Sequence, residues 1–367
     1  MQKRILIASA SAGTGHVRAA ESLRAAFAER APDMYVEHVD VLEHAPAWVR
    51  SAYRDGFELL AARAPGVWRE IYHLTDGPGP DTPFWGGAAY RLLFRAFDRV
   101  VRSRPWNVCI CTHFLPAQLL AGRSGNPPFA MVITDFALHR FWAQPAVCRY
   151  FVATPRLAEQ VRARVRGARV EATGIPVRPD LLEGPTRAEA VAALGLEPGR
   201  PVVLVMGGGL GLGVTGFALG AAGAVSGTQV VALCGRSERS RAALGGIPGV
   251  RAVGYVDDVR PYLAAADVIV TKPGGLSTSE ALALGRPLVL ASPIPGHEEE
   301  NRRVLVAAGA ALPADSPEQI AAAVRSLIGD VARREELSRA ARRLGRPHAA
   351  QAVAAAIEYQ HSGREAA

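Results

Sequence analysis

Lysine is almost missing from this chain: of 42 basic residues, only Lys3 and Lys272 are not arginine. Cysteine is scarce as well. Cys109, Cys111, Cys148 and Cys234 form no CxxC pair, which excludes a disulfide-stapled scaffold and reads as free thiols in a reducing compartment. No group of His, Cys, Asp and Glu carries the spacing of a metal site, so no metal is expected. Residues 201–235 hold no charge at all, yet ten of them are Gly. Their apolar pieces, VVLVM and VVAL, are strand-sized, whereas a spanning helix needs about 20 mostly apolar residues. A transmembrane segment is therefore excluded there. The apolar run in MQKRILIASASAG is too short for the core of a signal peptide.

What is present is a 367-residue chain, 49% hydrophobic and 21% charged, with 37 Gly and 26 Pro. That length suits two ordinary domains, and the composition excludes a disordered chain. The net charge is +8, and residues 1–175 hold 22 basic against 15 acidic residues. Such a surplus suggests an anionic partner, nucleic acid or a membrane surface, or simply solubility charge.

Short strand-like runs alternate with helix-length segments. RILIAS, YVEHVDV, NVCICT, FAMVIT and RYFVAT lie in the first half; VVLVM, QVVALC, DVIVT and PLVLAS lie in the second. Apolar on both faces, they predict parallel βαβ units and two Rossmann-like α/β domains. Two prolines in Gly174–Pro179 mark the seam. The expected division is 1–175, 176–345, and a helix and tail over 346–367. Residues 48–106 break the alternation: they hold 11 of the 24 aromatics and nine Arg against six acidic residues. There Tyr90, Phe94, Phe97 and Val101 fall on one helical stripe, with Arg91, Arg95, Arg99 and Arg102 beside it, a pattern expected to lie in a membrane's headgroup region, or else to pack as a local helical core.

Four motifs carry chemistry. Ser9–His16 follows the first strand, and its Gly13 and Gly15 allow a ligand close to the backbone at a helix N-terminus, which favours negative charge. His16 either caps that helix or acts as a general base. Gly207–Gly213 has five glycines in seven residues and reads as a phosphate cradle without the Lys-Ser/Thr of a P-loop. In Thr271–Leu282 a Gly-Gly turn precedes a helix expected to be capped by Ser277 or Thr278. Glu280 then falls in its first turn, as a dipole partner or a ligand for ribose hydroxyls. Pro293–Asn301 opens another helix with an acidic triplet. Neither glycine loop matches the dinucleotide fingerprint, which disfavours an oxidoreductase. A non-catalytic nucleotide-binding module is the other reading from a different class.

These motifs in order, GxGH, GGGxGxG, KPGGxxxxEAL and PGxExxN, resemble the GT-B glycosyltransferases related to diacylglycerol glucosyltransferase, monogalactosyldiacylglycerol synthase and MurG. Val132-Ile133-Thr134-Asp135, with His139 and Trp142, is similar to the TDxxxHxxW pattern of the lipid branch. The resemblance spans about residues 3–330. It implies two Rossmann-like domains with parallel sheets facing across a cleft, and a UDP-sugar donor site in the second domain. Gly208 and Gly209 would face the diphosphate, with Ser277 and Thr278 beside the phosphates. Glu280 would bind the ribose, and the main chain of Val253, Gly254, Tyr255 and Val256 the uracil. His297 and Glu298 would reach the sugar hydroxyls; the family often has Gln where His297 stands, so the hexose is open between glucose and galactose. Lys272 would add charge at the diphosphate. The family is metal-independent, in keeping with the absence of a DxD motif here.

The expected reaction is an inverting transfer of a hexose to diacylglycerol or a related glycolipid, with His16 or Asp135 as base. Transfer to a soluble or polyprenyl-linked acceptor is the alternative. The implied partners are a UDP-sugar, a lipid acceptor and an anionic membrane surface, not nucleic acid. The implied location is cytoplasmic, peripheral at the inner face of the membrane.

Overall fold

The computed structural model describes residues 2–76, 92–121 and 125–362. The chain divides into two compact units, Met1–Pro179 with His348–Ala367, and Asp180–Pro347.

The first unit is built on six parallel strands: β1 (Arg4–Ser9), β2 (Tyr35–Asp40), β3 (Val108–Cys111), β4 (Phe129–Val132), β5 (Arg149–Phe151) and β6 (Arg169–Glu171), in the order β2-β1-β3-β4-β5-β6. Its helices are α1 (Gly15–Arg30), α2 (Ala47–Arg63), α3 (Pro65–Asp76), α4 (Arg95–Arg102), α5 (Phe114–Leu120) and α6 (Pro155–Arg164). Ile5 and Ile7 of β1 and Val108 and Ile110 of β3 pack with Ala20, Leu23 and Phe27 of α1. Burial of both sheet faces explains why the central strands read as unbroken apolar runs rather than alternating ones.

The second unit begins its helices with α7 (Arg187–Ala193) and repeats the plan with β7 (Val202–Met206), β8 (Gln229–Leu233), β9 (Val250–Val253), β10 (Val268–Thr271), β11 (Leu288–Ala291) and β12 (Ala311–Ala314). All six are parallel, in the order β12-β11-β10-β7-β8-β9. The helices that follow are α8 (Val214–Ala222), α9 (Glu238–Leu244), α10 (Arg260–Ala265), α11 (Gly275–Ala283), α12 (His297–Ala307), α13 (Pro317–Gly329) and α14 (Val331–Leu344). In each unit the chain runs to one side of its first strand and then crosses to the other. The crevice of a doubly wound sheet lies at that reversal, outside the carboxyl ends of the two strands. Here these are β1 and β3 in the first unit, and β7 and β10 in the second.

Two local expectations change. The segment set apart at 346–367 packs with the first unit. Its helix α15 (Ala349–Ser362) places Ala350, Val353, Ala354 and Ile357 in the first unit's core. Arg149 Nη1 donates to the Ala356 carbonyl at 2.7 Å, and Arg30 pairs with Glu358 at 2.7 Å. Small residues let the helix approach the sheet closely, so an Ala-rich stretch serves as core. The second change concerns the aromatic stripe. Phe94, Phe97 and Val101 are only 1, 2 and 4% exposed, so they form local core rather than a lipid-facing surface. Arg95, Arg99 and Arg102 are exposed beside them; Tyr90 and Arg91 lie outside the described residues.

Candidate active site

At the reversal point of the first unit, the loop after β1 is fastened from three directions. His38 Nε2 and the Ser9 hydroxyl lie 2.8 Å apart, Asp40 accepts from the Ser11 amide at 3.1 Å, and Arg54 of α2 donates to the Ser11 hydroxyl at 2.5 Å. Burial pushes the pKa of His38 down, which favours the neutral ring. Gly13 has φ +85°, a left-handed conformation costly for other residues. Gly15 opens α1, and His16 is its second residue. Thr14, the residue before the helix, makes no side-chain cap, and His16 is not at the cap position. The capping alternative for His16 therefore fails.

His16 is instead turned to the end of β3. Its Nδ1 lies 3.1 Å from the Thr112 carbonyl oxygen and 2.8 Å from the Thr134 hydroxyl, while the Thr112 hydroxyl donates to the His16 carbonyl at 2.9 Å. A carbonyl oxygen only accepts, so the Thr112 contact favours the tautomer with the proton on Nδ1 and the lone pair on Nε2, and the Thr134 hydroxyl can accept from the same N–H. That is the tautomer a general base needs. Asp135, the next residue after Thr134, is buried.

Aromatic rings surround this imidazole. His113 meets it edge-on at 4.6 Å, and Trp142 lies 6.1 Å away. Burial, and the neighbouring His16, hold the pKa of His113 well down. Its Nδ1 accepts from the Leu115 amide at 3.0 Å and caps α5. His139 caps a short turn through the Phe141 amide, and its ring lies 4.5 Å from that of Tyr72 on α3. Asp76, at the end of α3, accepts from the Arg140 amide at 2.7 Å. The sequence reading missed Thr112, Thr134 and His113 as the setting of His16; adjacency of a βα loop to the next strand end is a topological fact with no local signature.

In the second unit, the glycine loop follows β7 and the KPGG turn follows β10. β7 and β10 are neighbours, paired from Val203↔Val268 to Met206↔Thr271. Gly207 tolerates no side chain, because a Cβ there would stand 2.5 Å from the Gly211 carbonyl carbon. Gly208, at φ +69°, would bring a Cβ to 3.3 Å from Lys272 Cε. Arg236, after β8, donates its amide to the Gly209 carbonyl at 2.9 Å, and its guanidinium lies 5.3 Å from the centre of the Tyr255 ring. That ring is 44% exposed. Gly254, Tyr255 and Val256 follow β9, at the same sheet end as the loop after β8, with the Cys234 amide bonded to the Val253 carbonyl at 2.7 Å.

Helix α11 starts earlier than expected. Gly274 is its N-cap, so Ser277 and Thr278 lie inside the first turn and do not cap it. The extended backbone of Gly274 begins the helix directly at the turn. The Thr278 hydroxyl donates back to the Gly274 carbonyl at 2.7 Å. Glu280 consequently sits in the second turn, 4% exposed, away from the cap position where its bland reading needed it. Glu298, in the first turn of α12 after His297, is 1% exposed. It forms an ion pair with Lys272 and accepts from the Ile294 amide at 2.8 Å. Asn301 Nδ2 donates to the Pro273 carbonyl at 3.1 Å. The two last motifs are thus joined into one structure. Among the described residues, no three His, Cys, Asp or Glu side chains gather as a metal site.

Residues 16–177 match the family described as monogalactosyldiacylglycerol (MGDG) synthase, and residues 198–330 match the glycosyl transferases group 1. The chain is a glycosyltransferase. This glycosyltransferase is 25% identical over 380 aligned residues to a processive diacylglycerol beta-glucosyltransferase of Bacillus pumilus, spanning 96% of this chain and 93% of that one. It is 29% identical to the chloroplastic monogalactosyldiacylglycerol synthase of Spinacia oleracea, over 89% of this chain and 66% of the plant protein. The crystal structure of Acinetobacter baumannii MurG matches it with a TM-score of 0.58 at 15% identity, covering 97% of this chain and 99% of the other. The fold of this glycosyltransferase is therefore GT-B.

Proposed function

We propose that this glycosyltransferase moves a hexose, glucose or galactose, from a UDP-sugar to diacylglycerol or a related glycolipid, with inversion at C1. The observation that carries this reading is the nearly end-to-end match to a diacylglycerol glucosyltransferase. The acceptor hydroxyl gives its proton to Nε2 of His16 as its oxygen attacks C1 of the sugar. The bond from C1 to the diphosphate oxygen breaks, and UDP leaves with that electron pair. Backbone amides of Gly208 and Gly209, the N-terminus of α11 near Ser277 and Thr278, and Lys272 stabilise the charge on the leaving group. Glu280 binds the ribose, Gly254, Tyr255 and Val256 the base, and His297 the sugar. On this reading Lys272 and the backbone amides stabilise the leaving diphosphate without a divalent cation, so activity is expected to survive EDTA.

The acceptor reaches the enzyme at a lipid surface. No helix among the described residues is long and apolar enough to cross a membrane. Five of the ten large exposed apolar side chains among those residues are Trp48, Val67, Ile71, Leu74 and Leu92. Val67, Ile71 and Leu74 are spaced i, i+4, i+7 and so share one face of α3. An apolar helix face lies in the headgroup region without spanning, and an anionic leaflet attracts the basic surplus of the first half of the chain. Arg54 of α2 links this segment to the His16 loop through Ser11, which supports delivery of a lipid hydroxyl to His16.

The test is incubation with UDP-glucose or UDP-galactose, with and without diacylglycerol vesicles, followed by mass spectrometry of the lipids. Hexosylated diacylglycerol is the expected product. UDP release without lipid product, or transfer only to a soluble acceptor, overturns the lipid assignment.

A further inference from the structure

Glu298 has both carboxylate oxygens engaged inside the protein. Lys272 Nζ pairs with Oε1, and the Ile294 amide donates to Oε2 at 2.8 Å. Its side chain is 2% exposed, against 20% for Lys272. Two of its roughly four acceptor sites are thereby taken, and a side chain so buried presents little surface to a sugar hydroxyl, which is the role the family resemblance suggests for it.

Lys272, by contrast, leads from the end of β10 across two glycine turns. Its Cε stands 3.3 Å from where a Cβ of Gly208 would be, and its Nζ 3.8 Å from where a Cβ of Gly274 would be. Gly208 belongs to the phosphate cradle after β7, and Gly274 is the N-cap of α11. The ammonium therefore stands where the two turns of adjacent strands come together, beside amide groups that favour an anion. A lysine side chain is a flexible stem with many rotamers. Ordering it costs entropy each time a ligand binds, unless a fixed partner orders it beforehand. Glu298 is such a partner. It is itself fixed by the Ile294 amide and by its place in the first turn of α12, where a helix dipole favours a negative charge. An ammonium has three N–H donors, and one carboxylate oxygen takes one of them. Asn301 completes the clamp by bonding the Pro273 carbonyl at 3.1 Å.

We propose that Glu298 is a positioning residue that holds the Lys272 ammonium against Gly208 and Gly274 for the donor diphosphate, and that it does not read the sugar. This rests on the donor-site reading above. The measurement is calorimetric affinity of the full-length protein for UDP, UDP-glucose and uridine, in wild type, Lys272→Met, Glu298→Gln and the double variant. Wild-type binding of UDP tests the donor-site reading by itself; without it, that reading fails before the positioning role is at issue. Given wild-type binding, Glu298→Gln and Lys272→Met should each weaken UDP at least tenfold and leave uridine within twofold. The ratio of UDP-glucose to UDP affinity should stay at its wild-type value in Glu298→Gln. The double variant should bind UDP no worse than Lys272→Met, since a residue acting only through another shows full coupling. It also leaves no buried charge unpaired, so it is the variant to rely on should a single one unfold. A Glu298→Gln protein that keeps its UDP affinity and loses UDP-glucose selectively overturns the proposal in favour of direct sugar contact. Additive losses in the double variant overturn it as well, and so does an equal loss of uridine binding.

Discussion

The Thr112 carbonyl oxygen lies 3.1 Å from Nδ1 of His16, and this contact sets the chemistry of the ring. It favours the proton on Nδ1 and the lone pair on Nε2, the tautomer that the proposed base role requires. Replacing His16 by Ala should lower kcat by about 10²–10⁴, the usual worth of general base catalysis, while UDP affinity and melting temperature stay near wild type. Thr134→Val removes the hydroxyl beside Nδ1 and keeps the Thr112 carbonyl. A neutral hydrogen bond of about 0.5–1.5 kcal/mol corresponds to roughly a two- to tenfold loss. Steady-state rates with saturating UDP-sugar check both. A His16→Ala enzyme keeping more than about a tenth of wild-type kcat removes His16 from the base role.

Glu280→Ala tests the donor site from another side. Because α11 begins at Gly275, Glu280 is no cap and its loss should not fray the helix start. Its carboxylate, bonded to ribose hydroxyls, would contribute about 1.5–3 kcal/mol, so UDP and UDP-sugar should both bind more weakly by that amount. Thermal melting with and without UDP reads this directly. Equal ligand stabilisation in variant and wild type would show that Glu280 is structural.

What was legible in the sequence follows from what burial does to a strand. Every central strand was visible, because burial on both faces writes an uninterrupted apolar run. The strands missed were β6, β9 and β12, and all three are sheet edges. Their sequences, RVE, VRAV and ALPA, carry exposed or half-exposed positions, and an edge strand is short and mixed in composition for that reason. The glycine turns could be read because the backbone there needs glycine. The partners of His16 could not, since Thr112 and Thr134 are ordinary residues that β3 and β4 bring beside it from about a hundred positions away. The stripe of Phe94, Phe97 and Val101 was misread as lipid-facing for a related reason: helical periodicity identifies an apolar face and does not say whether protein or lipid covers it.

His113 gives the first unit an acid-sensitive point. Burial, and the adjacent His16, hold its folded pKa well below the ordinary value of 6.5. The unfolded chain therefore takes up this proton first as the pH falls, and the stability present above about pH 6.5 is lost progressively below it. His38, also lowered by burial, acts in the same direction. The melting temperature should fall between pH 7 and pH 5. His113→Asn, which can still cap α5, should reduce that fall. An unchanged pH dependence in the variant would rule out His113 as a source of the acid sensitivity.

The proposed lipid-docking face can be separated from the core by choosing which apolar residues to change. Trp48 is 65% and Leu74 79% exposed, so Trp48→Ser and Leu74→Ser should leave the fold and UDP affinity intact. If these side chains enter the headgroup region, each carries about 1.5–3 kcal/mol of burial. The double variant should then lose at least tenfold in partition onto anionic vesicles, measured by flotation. Arg95→Glu with Arg99→Glu should weaken the same binding at low salt and matter less at high salt, where surface attraction is screened. Phe97→Ser is the contrasting case: with Phe97 2% exposed, it should lower the melting temperature through lost packing, whether or not vesicles are present. Wild-type protein that fails to float at low salt, or a Trp48/Leu74 variant that floats as well as wild type, would assign this apolar face to something other than a membrane.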